Sequence, residues 1–180
     1  MALTATVFSF EVQLNNLDRG VYETLAFKAA QHPSESDEYF VARVLAYCLE
    51  YTDGISFGRG LAEPDEPAIA VNDLSGTRQS WIEIGNPNAE RLHRASKASP
   101  RVVVYTHKDP VALFRQLSGE RIHRREHIEV LALDRDLIAA IVERLERRMT
   151  FALMLNEDHL YVTIGDVTLD AQLRRSSLDE

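Results

Sequence analysis

A single cysteine, Cys48, stands among 180 residues. One thiol forms no internal disulfide, so a disulfide framework and a cysteine-rich zinc site are both excluded. Its apolar helical context reads as a small buried side chain rather than a reactive thiol. Long apolar runs are missing as well: none approaches the ~20 residues that cross a bilayer, and no membrane partner is expected. The start, "MALTATVFSFEVQL", lacks a basic segment and alternates like a strand instead of forming a signal core, which places the expected location in the cytoplasm. Positive charge is scarce, with 20 Lys and Arg against 28 Asp and Glu, a net charge of −8. A non-specific nucleic-acid binder is thereby disfavoured, because phosphate neutralisation normally shows as a basic domain. A nuclease is not excluded, since its metal ions bring their own positive charge. No Gly-rich phosphate loop and no nucleophile elbow is present. Neither is an internal repeat, a low-complexity stretch or a linker, so a single domain over 1–180 is expected.

What is present is a clear order of elements. Residues 7–14 alternate, with Phe8, Phe10, Val12 and Leu14 on one face. "NNLDRG" reads as a turn into "YETLAFKAA", completing an antiparallel hairpin. A helix is expected over 34–51, with Ser34 as N-cap and an apolar stripe of Val41, Ala42, Leu45, Cys48 and Leu49. A second hairpin covers 66–85 around Ser75-Gly76. A helix over 88–98 leads to "VVVYT" at 102–106, an apolar strand of the kind buried on both faces. Asp109 and Pro110 open a further helix. A strand "HIEVLALD", a helix "DRDLIAAIVERLERR" and a three-stranded meander over 149–173 follow, before a polar tail, "RRSSLDE", expected to fray. The middle is thus α/β with antiparallel β at both ends (α+β overall), and the terminal strands are expected to pair as a second sheet.

The second hairpin, within "EPDEPAIAVNDLSGTRQSWIEIG", gathers the unusual chemistry. Pairing about Ser75-Gly76 sets Glu83 opposite Ala68 or Ile69 and puts Asp65 and Glu66 just beyond, so three carboxylates collect at the end remote from the turn. Asp73, about 16 Å away at strand rise, is a turn residue. Two readings stand: an edge hairpin with a wet face, or half of a metal site. A hard divalent ion such as magnesium or manganese takes two or three carboxylate or carbonyl oxygens and keeps its waters, and an acid at a strand start with another on the next strand supplies that set.

Pro64-Asp65 followed by Glu83-Ile84-Gly85 resembles a PD-(D/E)XK motif, and the order helix, hairpin, helix, strand resembles the restriction-endonuclease-like fold that carries it. The phrases "MALTAT", "HPSE", "RGL…DEP", "WIEIGNP", "RASKAS" and "VVVYT", spread over most of the chain, resemble the bacterial YaeQ family. This likeness implies a mixed sheet flanked by helices, with additional antiparallel strands from both termini. It also implies a magnesium- or manganese-dependent phosphodiesterase acting on nucleic acid: Asp65, Glu66 and Glu83 as metal ligands, with Glu35 or Glu38 from the first helix completing the shell. The motif's lysine falls at Gly85, which supplies no charge. Some proteins of that fold bring the lysine from the next helix, and Lys97 is then the candidate to stand beside Trp81 to Glu83. A solvated lysine favoured by the helix dipole is the plainer account of Lys97, as dipole-satisfied acids are of Glu35 and Glu38. The other reading is a non-catalytic binding or regulatory protein of the same fold. His123 and His127 at i, i+4 and the arginines 115, 121, 124 and 125, which could touch phosphate, are weaker candidates, better explained by a polar surface, and Tyr105 with His107 at the end of the buried strand are placed to line a cleft.

Overall fold

A computed structural model describes residues 4–59, 63 and 65–179. Pro64 of the motif, Met1 to Leu3 of "MALTAT" and Gly60-Leu61 of "RGL" lie outside the described residues. The chain divides into two compact units, Met1–Tyr51 with Asp134–Leu173, and Thr52–Leu133 with Arg174–Glu180. Among the described residues, each contains one mixed sheet and two α-helices.

The first unit holds a five-stranded sheet ordered β10-β9-β8-β1-β2. Its strands are β1 (Thr6–Asn16), β2 (Val21–Gln31), β8 (Arg148–Asn156), β9 (His159–Ile164) and β10 (Val167–Gln172). The strands from the two ends of the sequence do pair: β1 runs parallel to β8 from Ser9↔Arg148 to Asn16↔Leu155, and antiparallel to β2 on its other side. Alternation decides which face is covered. Phe8, Phe10, Val12 and Leu14 of β1 are buried, as are Phe151 and Leu153 of β8, while Glu11, Gln13, Thr150 and Asn156 are exposed. The buried face packs with α1 (Asp37–Leu49) and α4 (Arg135–Val142). Phe8 and Phe40 lie 4.8 Å apart between ring centroids.

Two helix boundaries differ from the sequence expectation. The N-cap of α1 is Ser36, whose hydroxyl accepts from the Tyr39 N–H. Ser34 instead hydrogen-bonds to the His32 ring, within a turn closed by the Glu35 N–H on the His32 carbonyl. Helix α4 stops at Val142, not at residue 148. Arg144 and Leu145 close i→i+3 turns there, and the chain joins β8 because parallel pairing with β1 outweighs helix propensity in "ERLERR".

The second unit holds a six-stranded sheet ordered β11-β7-β6-β5-β4-β3. Its strands are β3 (Ile55–Phe57), β4 (Ile69–Asn72), β5 (Arg78–Ile84), β6 (Arg101–Thr106), β7 (Glu129–Ala132) and β11 (Arg174–Ser177). The central β5, β6 and β7 are parallel, linked through α2 (Ala89–Ala98) and α3 (Pro110–Leu117). Every residue from Val102 to Thr106 is buried, as a strand covered on both faces requires. The core joins Trp81, Leu92, Val104, Leu113, Leu117 and Val130. Here the polar tail differs from expectation. It forms β11, antiparallel to β7, with Leu178 buried and ion pairs Arg175–Glu129 and Arg125–Asp179. Its polar side chains say nothing against backbone pairing, which is what orders it.

Gly54, ahead of β3, has φ +88°, and a Cβ there would run into the Asn72 carbonyl oxygen. Glycine is required at this close approach, where the Gly54 carbonyl also accepts from the Asn72 N–H.

Candidate functional site

The hairpin β4–β5 is joined by an Asx turn. Asp73 accepts from the Ser75 and Thr77 N–H groups and from the Ser75 hydroxyl, and these bonds, the Ser75 hydroxyl first, hold its carboxyl below the usual range. Register Ile69↔Ile82 puts Glu83 level with Ala68, as the sequence spacing requires. Trp81 and Glu83 share one face of β5, two residues apart, and the indole N–H donates to Glu83 Oε1 at 2.5 Å.

Glu83 is 4% exposed. Its second oxygen, Oε2, accepts from Arg91 Nε at 2.7 Å. Arg91 lies in the first turn of α2, a helix started by the Asn88 side chain, which accepts from the Arg91 N–H. The same guanidinium donates through Nη2 to the Glu66 carbonyl at 2.6 Å. One arginine therefore ties the end of β5 to the segment leading into β4. It also lies 5.9 Å from the Trp81 ring centroid, and Arg78 lies 5.3 Å from it. Burial pushes the Glu83 carboxyl upward, and the Arg91 bond and charge, then the Trp81 bond, pull it partly back.

The neighbouring acids follow the same pattern. Asp65, exposed, pairs with Arg94, which also holds Glu90. Glu66 pairs with Arg59, whose N–H also donates to its Oε2. Asp65, Glu66 and Glu83 are thus linked through α2 and Arg59, each against a guanidinium. Among the described residues, no group of three or more His, Cys, Asp or Glu side chains is placed to hold a metal ion.

Lys97 is exposed in the last turn of α2. The cation set against Glu83 is Arg91, six residues earlier, or about 9 Å along the helix axis. Glu35 belongs to the first unit. It forms a buried ion pair with Arg43, 3.0 Å from Oε1 to Nη2, and Arg43 also donates to the Ala30 carbonyl. Glu38 is exposed in the first turn of α1. His123 donates its backbone N–H to the His93 ring, and Arg125 is held by Asp179 and the Leu117 carbonyl. Sequence reasoning missed Arg91, Arg94 and Arg59. The available signal was the i, i+3 pair Arg91 and Arg94 directly after the hairpin, on the first turns of a helix that must return along β5.

A family model described as YaeQ protein matches residues 1–173. The chain is 30% identical over 176 residues to "Uncharacterized protein YaeQ" of Escherichia coli (strain K12), covering 96% of each chain. It is 29% identical over 175 residues to the protein of that description in Salmonella typhi, again covering 96% of each. Among solved structures it is similar to YaeQ protein from Pseudomonas syringae, with TM-score 0.85, 29% identity and 95% of each chain covered. The YaeQ protein from Xanthomonas axonopodis pv. citri also has TM-score 0.85, with 30% identity and 97% and 98% of the two chains covered.

Proposed function

Because the chain belongs to the YaeQ family, with its hairpin acids drawn together under arginine, we propose that it is a non-catalytic binding protein. It would retain the element order of the restriction-endonuclease-like proteins without their metal chemistry. One observation carries this reading: both Glu83 oxygens are engaged, one by the Trp81 indole and one by Arg91. A metal-dependent phosphodiesterase needs carboxylate oxygens open to a divalent ion and to the water that ion activates. Arg91 supplies a fixed positive charge with no coordination site for water. A protein partner fits this reading better than nucleic acid. The second unit has equal numbers of basic and acidic residues, and the net charge of −8 lies entirely in the first. Neither unit carries the net positive charge that phosphate neutralisation requires.

The competing reading keeps Asp65, Glu66 and Glu83 as ligands of magnesium or manganese, with Lys97 and Glu35 or Glu38 assisting, and nucleic acid as substrate. It is favoured by the gathering of the hairpin acids, and it requires Arg91 to leave Glu83. Isothermal titration of manganese into the wild type and into Glu83→Ala separates the two. The binding-protein reading expects no saturable heat in either. Saturable binding that disappears in Glu83→Ala would overturn it and direct attention to cleavage assays on single- and double-stranded substrates.

A further inference from the structure

The β2 edge of the first unit is a second surface, independent of the arginine-bound acids. Strand direction there can be read bond by bond. The Ser9 N–H donates to the Arg147 carbonyl and the Leu17 N–H to the Leu155 carbonyl, so the odd-numbered residues of β1 face β8. Its even-numbered residues therefore exchange hydrogen bonds with β2, at Phe8↔Ala29, Phe10↔Phe27, Val12↔Leu25 and Leu14↔Glu23. On β2 the even-numbered residues Tyr22, Thr24, Ala26, Lys28 and Ala30 turn their N–H and C=O groups outward. The Ala30 carbonyl is taken by Arg43, and among the described residues no strand pairs with β2 on the side of the other four residues.

Edge strands in folded proteins are normally guarded by shortness, proline, bulges or rows of lysine. This edge is 11 residues long, in unbroken register with β1 and free of proline, with one lysine. Tyr22, Thr24, Ala26 and Lys28 are all exposed, Tyr22 at 60%. We propose that this edge joins two copies of the chain, β2 running antiparallel to β2 about a two-fold axis at Leu25. That register pairs Tyr22 with Lys28 of the second copy and Thr24 with its Ala26, and each again in reverse. All four outward-facing residues are then used, each pair exchanging two hydrogen bonds. A shift of two residues in one direction replaces a pair with Gly20, beyond the strand. A shift in the other direction calls on Ala30, whose carbonyl Arg43 already occupies. The two-fold register sets no like charges opposite one another. It lays each lysine beside a tyrosine ring, a favourable cation–π neighbour, and fuses two five-stranded sheets into one.

Ala26→Pro tests the joint, because the Ala26 N–H points away from β1, where proline is tolerated on an edge strand. Sedimentation equilibrium should show a concentration-dependent dimer for the wild type and a monomer for Ala26→Pro, with unchanged circular dichroism. A wild type that stays monomeric at all concentrations, or a folded Ala26→Pro that still dimerises, overturns the proposal. If Ala26→Pro fails to fold, a charge pair decides. Thr24→Lys/Ala26→Lys and Thr24→Glu/Ala26→Glu should each be monomeric alone and form a heterodimer when mixed. Dimers of either variant alone, or no heterodimer on mixing, reject the register.

Discussion

Three side-chain contacts make separate, measurable claims. Burial holds the Glu83 carboxyl above its ordinary 4.5, against the pull of Arg91 and Trp81. A raised folded-state value means that the folded chain binds the proton more tightly than the unfolded chain. The stability so gained is complete below 4.5 and is lost as pH rises through the folded value. Arg91→Met strips away the offsetting charge, and the expected loss is roughly 3 kcal/mol at neutral pH, partly recovered on mild acidification. Urea unfolding at the two pH values checks both size and sign. His159 behaves differently, because its partners lie at the surface. Its Nε2 lies 2.7 Å from Asp170 Oδ2, and that bond, followed by the one to Gln172, raises its titration above 6.5. This contribution is present below 6.5 and disappears as pH climbs through the raised value. Asp170→Asn should lower the His159 midpoint in an NMR titration; an unchanged midpoint would refute the pairing. For Glu35, removal leaves Arg43 buried without its carboxylate. Glu35→Ala is expected to cost roughly 3–5 kcal/mol in chemical denaturation, an effect that exposed Glu38→Ala should not share.

At the scale of strands and helices, the tightest constraint is the approach of Gly54 to Asn72. Gly54→Ala meets both a positive φ and the Asn72 carbonyl, and a loss of roughly 1–3 kcal/mol is expected from the backbone strain alone, readable as a lower thermal midpoint. Element type was largely legible in the sequence. Alternation at Phe8 to Leu14 marked β1, Ser75-Gly76 marked the hairpin, and Asn88 and Asp109 marked two helix starts, because those signals are local. Boundaries set by distant partners were not legible. Nothing in "ERLERR" announces that Arg148 will pair with Ser9, and nothing in "RRSSL" announces a place beside β7. The candidate site was legible to the same depth. The spacing gathered the acids, but their counterions sit on a helix whose facing residues depend on how it returns along the sheet. Hence Lys97 was singled out where Arg91 stands.

Over the whole molecule, both compact units are discontinuous in sequence, since the second takes its final strand from beyond the first. Removing residues 174–180 takes away β11 and Leu178 together. The variant should unfold at lower denaturant and aggregate through the uncovered β7 edge; an unchanged midpoint by tryptophan fluorescence of Trp81 would count against that role. The pairing of β1 with β8 has a consequence in time as well. Strand β1 emerges during synthesis well before its parallel neighbour, which begins at Arg148. At ribosomal speeds of about 5–20 residues per second, the N-terminal hairpin waits on the order of ten seconds for that neighbour. Through that interval the hairpin has two open flanks rather than one, so the newborn chain is most exposed to mispairing, and most dependent on chaperones, until β8 has been made.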